Sequence, residues 1–221
     1  QNTETGRDDV RETIEKLLPG EIEARGFEII ARELGERTFP PEQEPVIRRV
    51  IHTTADFDYA DNLVFSDGAV EAAHAALKRG AGIVTDTNMA RAGINKTALG
   101  KLGGQVFCFM ADEDVAARAK ALGETRAAVS VDKAAELSGE LIFAVGNAPT
   151  ALIRLHERIR EGVLKPSLII GVPVGFVNVI PAKELIMELE DVPYIVARGR
   201  KGGSNVAAAI VNALIYRITD R

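Results

Sequence analysis

From residue 66 onward the chain alternates between short, uniformly apolar runs and longer stretches whose apolar residues recur every three or four positions. The first pattern marks strands buried on both faces, and the second marks helices laid over them. Strands are predicted at 81–86, 105–110, 141–146, 167–173 and 194–199. Helices are predicted between them over 112–122, 125–137, 149–160 and 181–190, with a closing helix over 204–218. A helix capped by Ser66 and stopped by Gly80 leads into the first strand. Upstream, Ile22, Phe27, Ile29, Ile30 and Leu34 form a stripe over a helix at 19–36, and Thr38 to Pro41 reads as a turn. Ile47, Val50, Ile51 and Thr54 repeat at helical spacing in the segment that begins at Glu44.

Five parallel strands joined by right-handed helical crossovers make an α/β, flavodoxin-like three-layer sandwich. No repeat or linker divides it. The expected organisation is an N-terminal extension over 1–18, partly disordered, followed by one domain over 19–221.

Composition narrows the class of protein. The apolar fraction of 46% in 221 residues is ample for a large core. A net charge of -5 argues against a nucleic-acid scaffold, since phosphate binding needs a concentrated basic face, but it leaves room for a local basic pocket. The single cysteine, Cys108, lies in the run Val106-Phe-Cys-Phe-Met110 and reads as a core residue. With no disulfide framework, signal peptide or bilayer-length apolar stretch, a soluble cytoplasmic protein without a membrane partner is expected. The first residue, Gln1, points to a trimmed or processed start.

In such a sheet a ligand sits beyond the carboxyl ends of the strands. Asp86-Thr-Asn-Met89, Gly146-Asn-Ala-Pro149, Gly171-Val-Pro-Val-Gly175 and Arg198-Gly-Arg-Lys-Gly-Gly-Ser204 fall there. The last carries three cations and three glycines and ends in a possible N-cap at Ser204. It reads either as an anion site or as an ordinary strand-to-helix turn with solvated cations. Asn147 can cap the helix that begins at Pro149. Arg126 stands near a helix start, where a cation is unfavourable unless it faces an anion. Asp86 reads as a capping or loop aspartate. His52 has Arg48 and Arg49 behind it and Asp56 and Asp58 after it, and an imidazole suits proton transfer near neutrality. His74, among alanines, and His156, in a charged run, are weaker candidates. No histidines or cysteines recur at metal-ligand spacing.

Five stretches in this order resemble the precorrin-8X methylmutase family, including its cobalt-precorrin-8 branch. They are Arg49-Val-Ile-His-Thr-Thr-Ala-Asp56, Ile83-Val-Thr-Asp-Thr-Asn-Met89 with Ala92-Gly-Ile94, Gly146-Asn-Ala-Pro-Thr150, Gly171-Val-Pro-Val-Gly-Phe-Val177 with Ala182-Lys-Glu184, and Gly199-Arg-Lys-Gly-Gly-Ser204 leading into Ala207-Ala-Ala-Ile-Val-Asn212. The resemblance covers residues 20–218 and implies a homodimeric isomerase that moves a methyl group from C11 to C12 of a corrin precursor. It implies His52 as proton donor and acceptor. It also implies Gly26, Arg49, Thr53, Thr85, Arg126, Asn147, Arg200 and Lys201 as substrate contacts, with no cofactor. At Gly26 the chain departs from the family, where a serine often precedes the phenylalanine. The wording of Ile51–Asp58 and Thr85–Met89 is closer to the anaerobic branch, so a cobalt-bearing substrate and cobyrinate are expected. Metal-free precorrin-8X giving hydrogenobyrinate is the alternative. Cobalt, if present, arrives inside the substrate.

Two rival classes fare worse on the residues. A nucleotide-dependent oxidoreductase needs a Gly-x-Gly-x-x-Gly turn after the first strand, where this chain reads Asp86-Thr-Asn-Met-Ala-Arg91. A receiver-like module needs further acidic residues at neighbouring strand ends, and none cluster there.

Overall fold

The computed structural model describes residues 14–219, so most of the extension expected to be partly disordered lies outside the described residues. The described residues fall into two compact units, one up to residue 37 and one from residue 38 onward. The first contains helix α1, Pro19–Leu34. Proline is tolerated at a helix start because its missing N–H would be unpaired there anyway. Glu21 accepts the Leu18 amide at 2.9 Å, and Arg25 grips both carboxylate oxygens of Glu15 at 2.7 and 2.8 Å. The helix stops two residues short of its predicted end because Gly35 turns left-handed at φ 60°.

The second unit runs α2 (Glu44–Thr54), α3 (Tyr59–Asn62), β1 (Leu63–Phe65), α4 (Ala69–Lys78), β2 (Gly82–Thr85), α5 (Asn88–Gly93), α6 (Lys96–Lys101) and β3 (Val106–Phe107). It continues with α7 (Glu113–Leu122), α8 (Arg126–Ala134), β4 (Leu141–Val145), α9 (Pro149–Arg160), β5 (Leu168–Gly171), α10 (Val179–Met187), β6 (Tyr194–Ala197) and α11 (Ser204–Thr219). The sheet has six strands in the order β1-β6-β5-β4-β2-β3, and β2 to β6 are parallel. Numbered among themselves, these five follow the doubly wound order 2-1-3-4-5, with its reversal between β2 and β4.

The expected five-stranded parallel sheet is therefore corrected. A sixth strand, β1, pairs antiparallel with β6, Leu63 opposite Ala197. At three residues it is too short for periodicity to reveal. Ser66 is corrected with it. Its hydroxyl accepts the Tyr194 amide at 2.9 Å and its own amide donates to the Tyr194 carbonyl at 3.0 Å. Ser66 thus extends the edge ladder, and Gly68, left-handed at φ 68°, precedes α4 instead.

Strand residues alternate between two layers. Val84, Phe143, Val145, Ile169 and Val196 pack with Val131, Leu152, Leu155 and Ile186 from α8, α9 and α10. Their neighbours Ile83, Ile142, Ala144, Ile170 and Ile195 are equally buried on the opposite face. Helix α11 packs against β4 and β5 and is surrounded by α2, α4, α5 and α6. Each such Val, Leu, Ile or Phe side chain contributes roughly 1.5–3 kcal/mol by leaving water.

The strands end where the layers open, and buried backbone groups there need partners. Asp86, directly after β2, is 5% exposed. Its two oxygens accept the amides of Gly146 and Asn147 at 2.8 Å each and that of Ala148 at 2.6 Å. Burial pushes its carboxyl above the ordinary range, while these amides pull the other way. The capping role read from sequence is filled across the switch point, from one strand end to another. A Cβ on Gly146 would lie 2.7 Å from the Gly203 carbonyl, so only glycine lets the end of β4 meet the start of α11. Asp86→Ala leaves amides of this turn unpaired, and a buried unsatisfied group costs roughly 1–3 kcal/mol. Urea unfolding of that variant should show a loss of about 3 kcal/mol with an unchanged m-value. A stability indistinguishable from that of the parent would remove Asp86 from this role.

Candidate functional site

Helix α2 delivers His52. Pro45 opens the helix, Val46, Ile47, Val50 and Ile51 form its buried face, and Ala55 ends it in a left-handed turn at φ 54°. Arg49 and His52, three apart, share the partly exposed flank. Arg48 turns back to Glu44, Nη2 to Oε1 at 2.5 Å. The Arg49 guanidinium lies over the Tyr216 ring, 5.4 Å from its centroid, and Asn95 donates to the Tyr216 hydroxyl at 3.2 Å. The exposed Thr53 donates its hydroxyl to the Arg49 carbonyl at 2.9 Å. Beyond the helix, the Asp56 amide donates to the Thr54 hydroxyl at 3.2 Å and the Asp58 amide to Asp56 Oδ1 at 3.0 Å.

The loop after β6 reaches this same segment. Lys201 Nζ lies 2.6 Å from Asp56 Oδ2 and 2.6 Å from Asp58 Oδ2. The two carboxylates hold the ammonium well above the ordinary lysine range, and Lys201 holds Asp56 below the usual carboxylate range. From beneath, Lys183 donates to the carbonyls of Gly199 at 2.8 Å and Lys201 at 2.9 Å. Lys183 is 1% exposed, and burial lowers its pKa to about 8. The Gly203 amide donates to Val172 at 2.9 Å, and the Gly175 amide donates to Arg200 at 3.1 Å. A side chain on Gly202 would overlap the Val172 carbonyl. The loop is therefore laid over the end of β5. Arg200 is exposed, with its guanidinium 5.4 Å from the centroid of the exposed Phe176 ring.

Ser204 departs from its expected capping role. It is the first residue of α11, and its hydroxyl pairs with that of Thr87 at 2.7 Å. Thr87 in turn caps α5 by accepting the Ala90 amide at 3.0 Å. Thr85, 1% exposed, points its hydroxyl at the carbonyls of Thr87 and Phe107, 3.1 and 3.2 Å away, so it ties β2 to β3. Asn147 is exposed on the turn that Asp86 holds. The exposed Arg126 opens α8 beside Thr125, which donates to Thr150 at 2.8 Å and so joins the starts of α8 and α9. Gly26 lies in the middle of α1, in the N-terminal unit.

The structure thus gathers Asn147, Arg200, Lys201 and the segment after His52 at the carboxyl edge, with Arg126 at a helix start next to it. It turns Thr85 inward and directs Arg49 along α11 toward Tyr216. Burial lowers the pKa of His74, whose Nε2 meets no partner. Sequence reading gave Lys183 no role. Its signal was a cation on the same helical face as Val179, Ala182 and Ile186. Among the described residues no cluster of metal-ligating side chains occurs, and no helix is long and apolar enough to cross a membrane.

Comparison with known proteins identifies relatives of the chain. The model of the family described as "Precorrin-8X methylmutase" matches residues 21–217. A cobalt-precorrin-8 methylmutase of Salmonella typhimurium is 46% identical over 208 residues, 91% of this chain and 97% of its own. A precorrin-8X methylmutase of Pseudomonas aeruginosa is 41% identical over 194 residues, 87% of this chain and 93% of its own. The crystal structure of a precorrin-8X methyl mutase from Thermus thermophilus superimposes with a TM-score of 0.84 at 46% identity, covering 91% of this chain and 97% of that one. On matches of this extent, the chain belongs to the precorrin-8X methylmutase family, isomerases of corrin biosynthesis.

Proposed function

We propose that the protein converts cobalt-precorrin-8 to cobyrinate by moving a methyl group from C11 to C12 of the ring, with His52 carrying the proton. The single observation that carries the reading is the meeting of the segment after His52 with the cation-rich loop, through Lys201 between Asp56 and Asp58. A corrin precursor carries several carboxylate arms, and such a ligand needs guanidinium groups and outward amides around its rim. Arg200, Arg126, Asn147 and Lys201 would receive arms, and Arg49 and Thr53 flank the histidine. Lys201 would then share its ammonium between the arm and the aspartates that hold it. Thr85 would contribute through backbone and packing, since it directs its hydroxyl inward. The active form would be a homodimer.

The chemistry asks little of the protein beyond a positioned acid. Protonation of the conjugated ring by the imidazolium of His52 withdraws electron density and eases migration of the methyl group. The bond to C11 breaks as the bond to C12 forms, and the same imidazole takes the proton back. Proton transfer of this kind contributes roughly 100- to 10,000-fold. Cobalt enters, on this reading, as part of the substrate.

The choice of branch rests on the wording of Ile51–Asp58 and Thr85–Met89, because relatives named for the cobalt form and for the metal-free form stand at 46% and 41% identity. Parallel assays of methyl migration on cobalt-precorrin-8 and precorrin-8X should show faster turnover with the cobalt form. The opposite ranking assigns the chain to the metal-free route. His52→Ala should lower turnover by at least about 100-fold while the corrin product still binds with near-parental affinity. Near-normal turnover in that variant removes His52 from the mechanism.

A further inference from the structure

We propose that Lys183 is a positioning residue that fixes the Gly199–Gly203 loop and lends the carboxyl edge a buried positive charge for a polycarboxylate ligand. The inference rests on the reading of the site as a corrinoid site. Its physical basis is the pair of hydrogen bonds from Nζ to the Gly199 and Lys201 carbonyls, made by a side chain that is 1% exposed. With those two carbonyls turned inward, Gly199 takes a left-handed φ of 76° and Arg200 stays exposed between them.

A brace alone does not require a cation, since a neutral amide or hydroxyl would also satisfy a carbonyl. Burying an ammonium is unfavourable unless something compensates it. Among the described residues no carboxylate contacts Lys183, and the depression of its pKa to about 8 has burial as its cause. The loop above it carries Arg198, Arg200 and Lys201, and of these Lys201 is neutralised by Asp56 and Asp58. A buried ammonium offset by two carbonyls and no carboxylate is screened less than a charge in water, so it acts on the adjoining surface. A ligand with several carboxylate arms would supply the counter-charge that no carboxylate among the described residues gives Lys183. Lys183 also sits on the buried face of α10 with Val179, Ala182 and Ile186, so its register is set by the core.

The test compares Lys183→Met, which keeps the volume, with Lys183→Gln, which keeps a donor but is shorter and neutral. Trypsin supplies the first readout, because Arg200 and Lys201 within the loop and Arg198 just before it are cleavage sites. Mass spectrometry of the full-length protein should show cleavage there about 10-fold faster in the Met variant, with other sites unchanged, as expected for loss of hydrogen bonds from a charged donor. Binding of cobyrinate and hydrogenobyrinate, followed by visible absorbance, is the second readout. Affinity should fall about 10- to 100-fold in the Met variant, and by less in the Gln variant.

Loop cleavage and affinity both within about twofold of the unmodified protein would overturn the proposal. Accelerated cleavage throughout the chain, with affinity lost in proportion, would overturn it in favour of a purely structural lysine. Should Lys183→Met fail to fold, the Gln variant decides by the same two measurements. If the unmodified protein takes up neither corrinoid, the reading of the site fails and the ligand half of the proposal falls with it, while loop cleavage still decides the brace.

Discussion

The structure depends on pairing backbone polar groups where the sheet ends. Within the strands, ladder hydrogen bonds satisfy the amides and carbonyls. At the carboxyl edge the ladder stops while the chain is still buried, and unpaired groups there are costly. Two charged side chains take over. Asp86 collects three consecutive amides after β4, and Lys183 collects two carbonyls after β6. One acts as acceptor and the other as donor, on opposite sides of the buried strand β5. Glycines complete the arrangement at two contacts where no side chain fits. Gly146 meets the start of α11, and Gly202 meets the end of β5.

The bridge from Lys201 to Asp56 and Asp58 is of another kind. All three side chains are partly exposed, and exposed pairs contribute little to stability because water screens them. What such a bridge does well is select a position. It joins the segment after α2 to a loop about 145 residues later, just beyond the ladder between β1 and β6. Asp56 is held below its ordinary range by Lys201, so the bridge is fully charged above the unfolded carboxylate range. It is lost only as pH falls through the lower folded value. At neutral pH the connection between the segment after α2 and the loop after β6 is intact.

Most of the parallel sheet was legible because its strands are buried on both faces and its helices are long. Patterns such as Leu141–Val145 and Pro149–Arg160 need no tertiary information to be read. What stayed hidden was short or set by distant partners. Strand β1 has three residues, and β3 has two. Ser66 looked like a cap because serine before an alanine-rich run usually is one, yet Tyr194, 128 residues away, claims its hydroxyl. The inward hydroxyl of Thr85 follows from β3 lying beside β2, a neighbour that sequence order alone does not give. The same holds for Lys183, whose acceptors lie 16 and 18 residues onward. His52 and the loop 198–204 stood out in the sequence as candidates. Their connection did not, because it depends on which strand ends the topology brings together.

The division between a rigid edge and a movable one follows from these partners. Asp86 and Lys183 are almost fully buried, and their acceptors and donors are backbone atoms. Neither can exchange partners without opening the fold. Lys201, Arg200 and Arg126 are exposed, and the contacts of the first two are with side chains that water already reaches. Such contacts can be traded for carboxylate arms at little cost, since each exposed pair is weak to begin with. The buried charges therefore set where the loops run, and the exposed cations are left adaptable at their tips. On the proposed reading, a ligand with several carboxylate arms would meet a fixed backbone edge and cations whose exposed contacts can be exchanged.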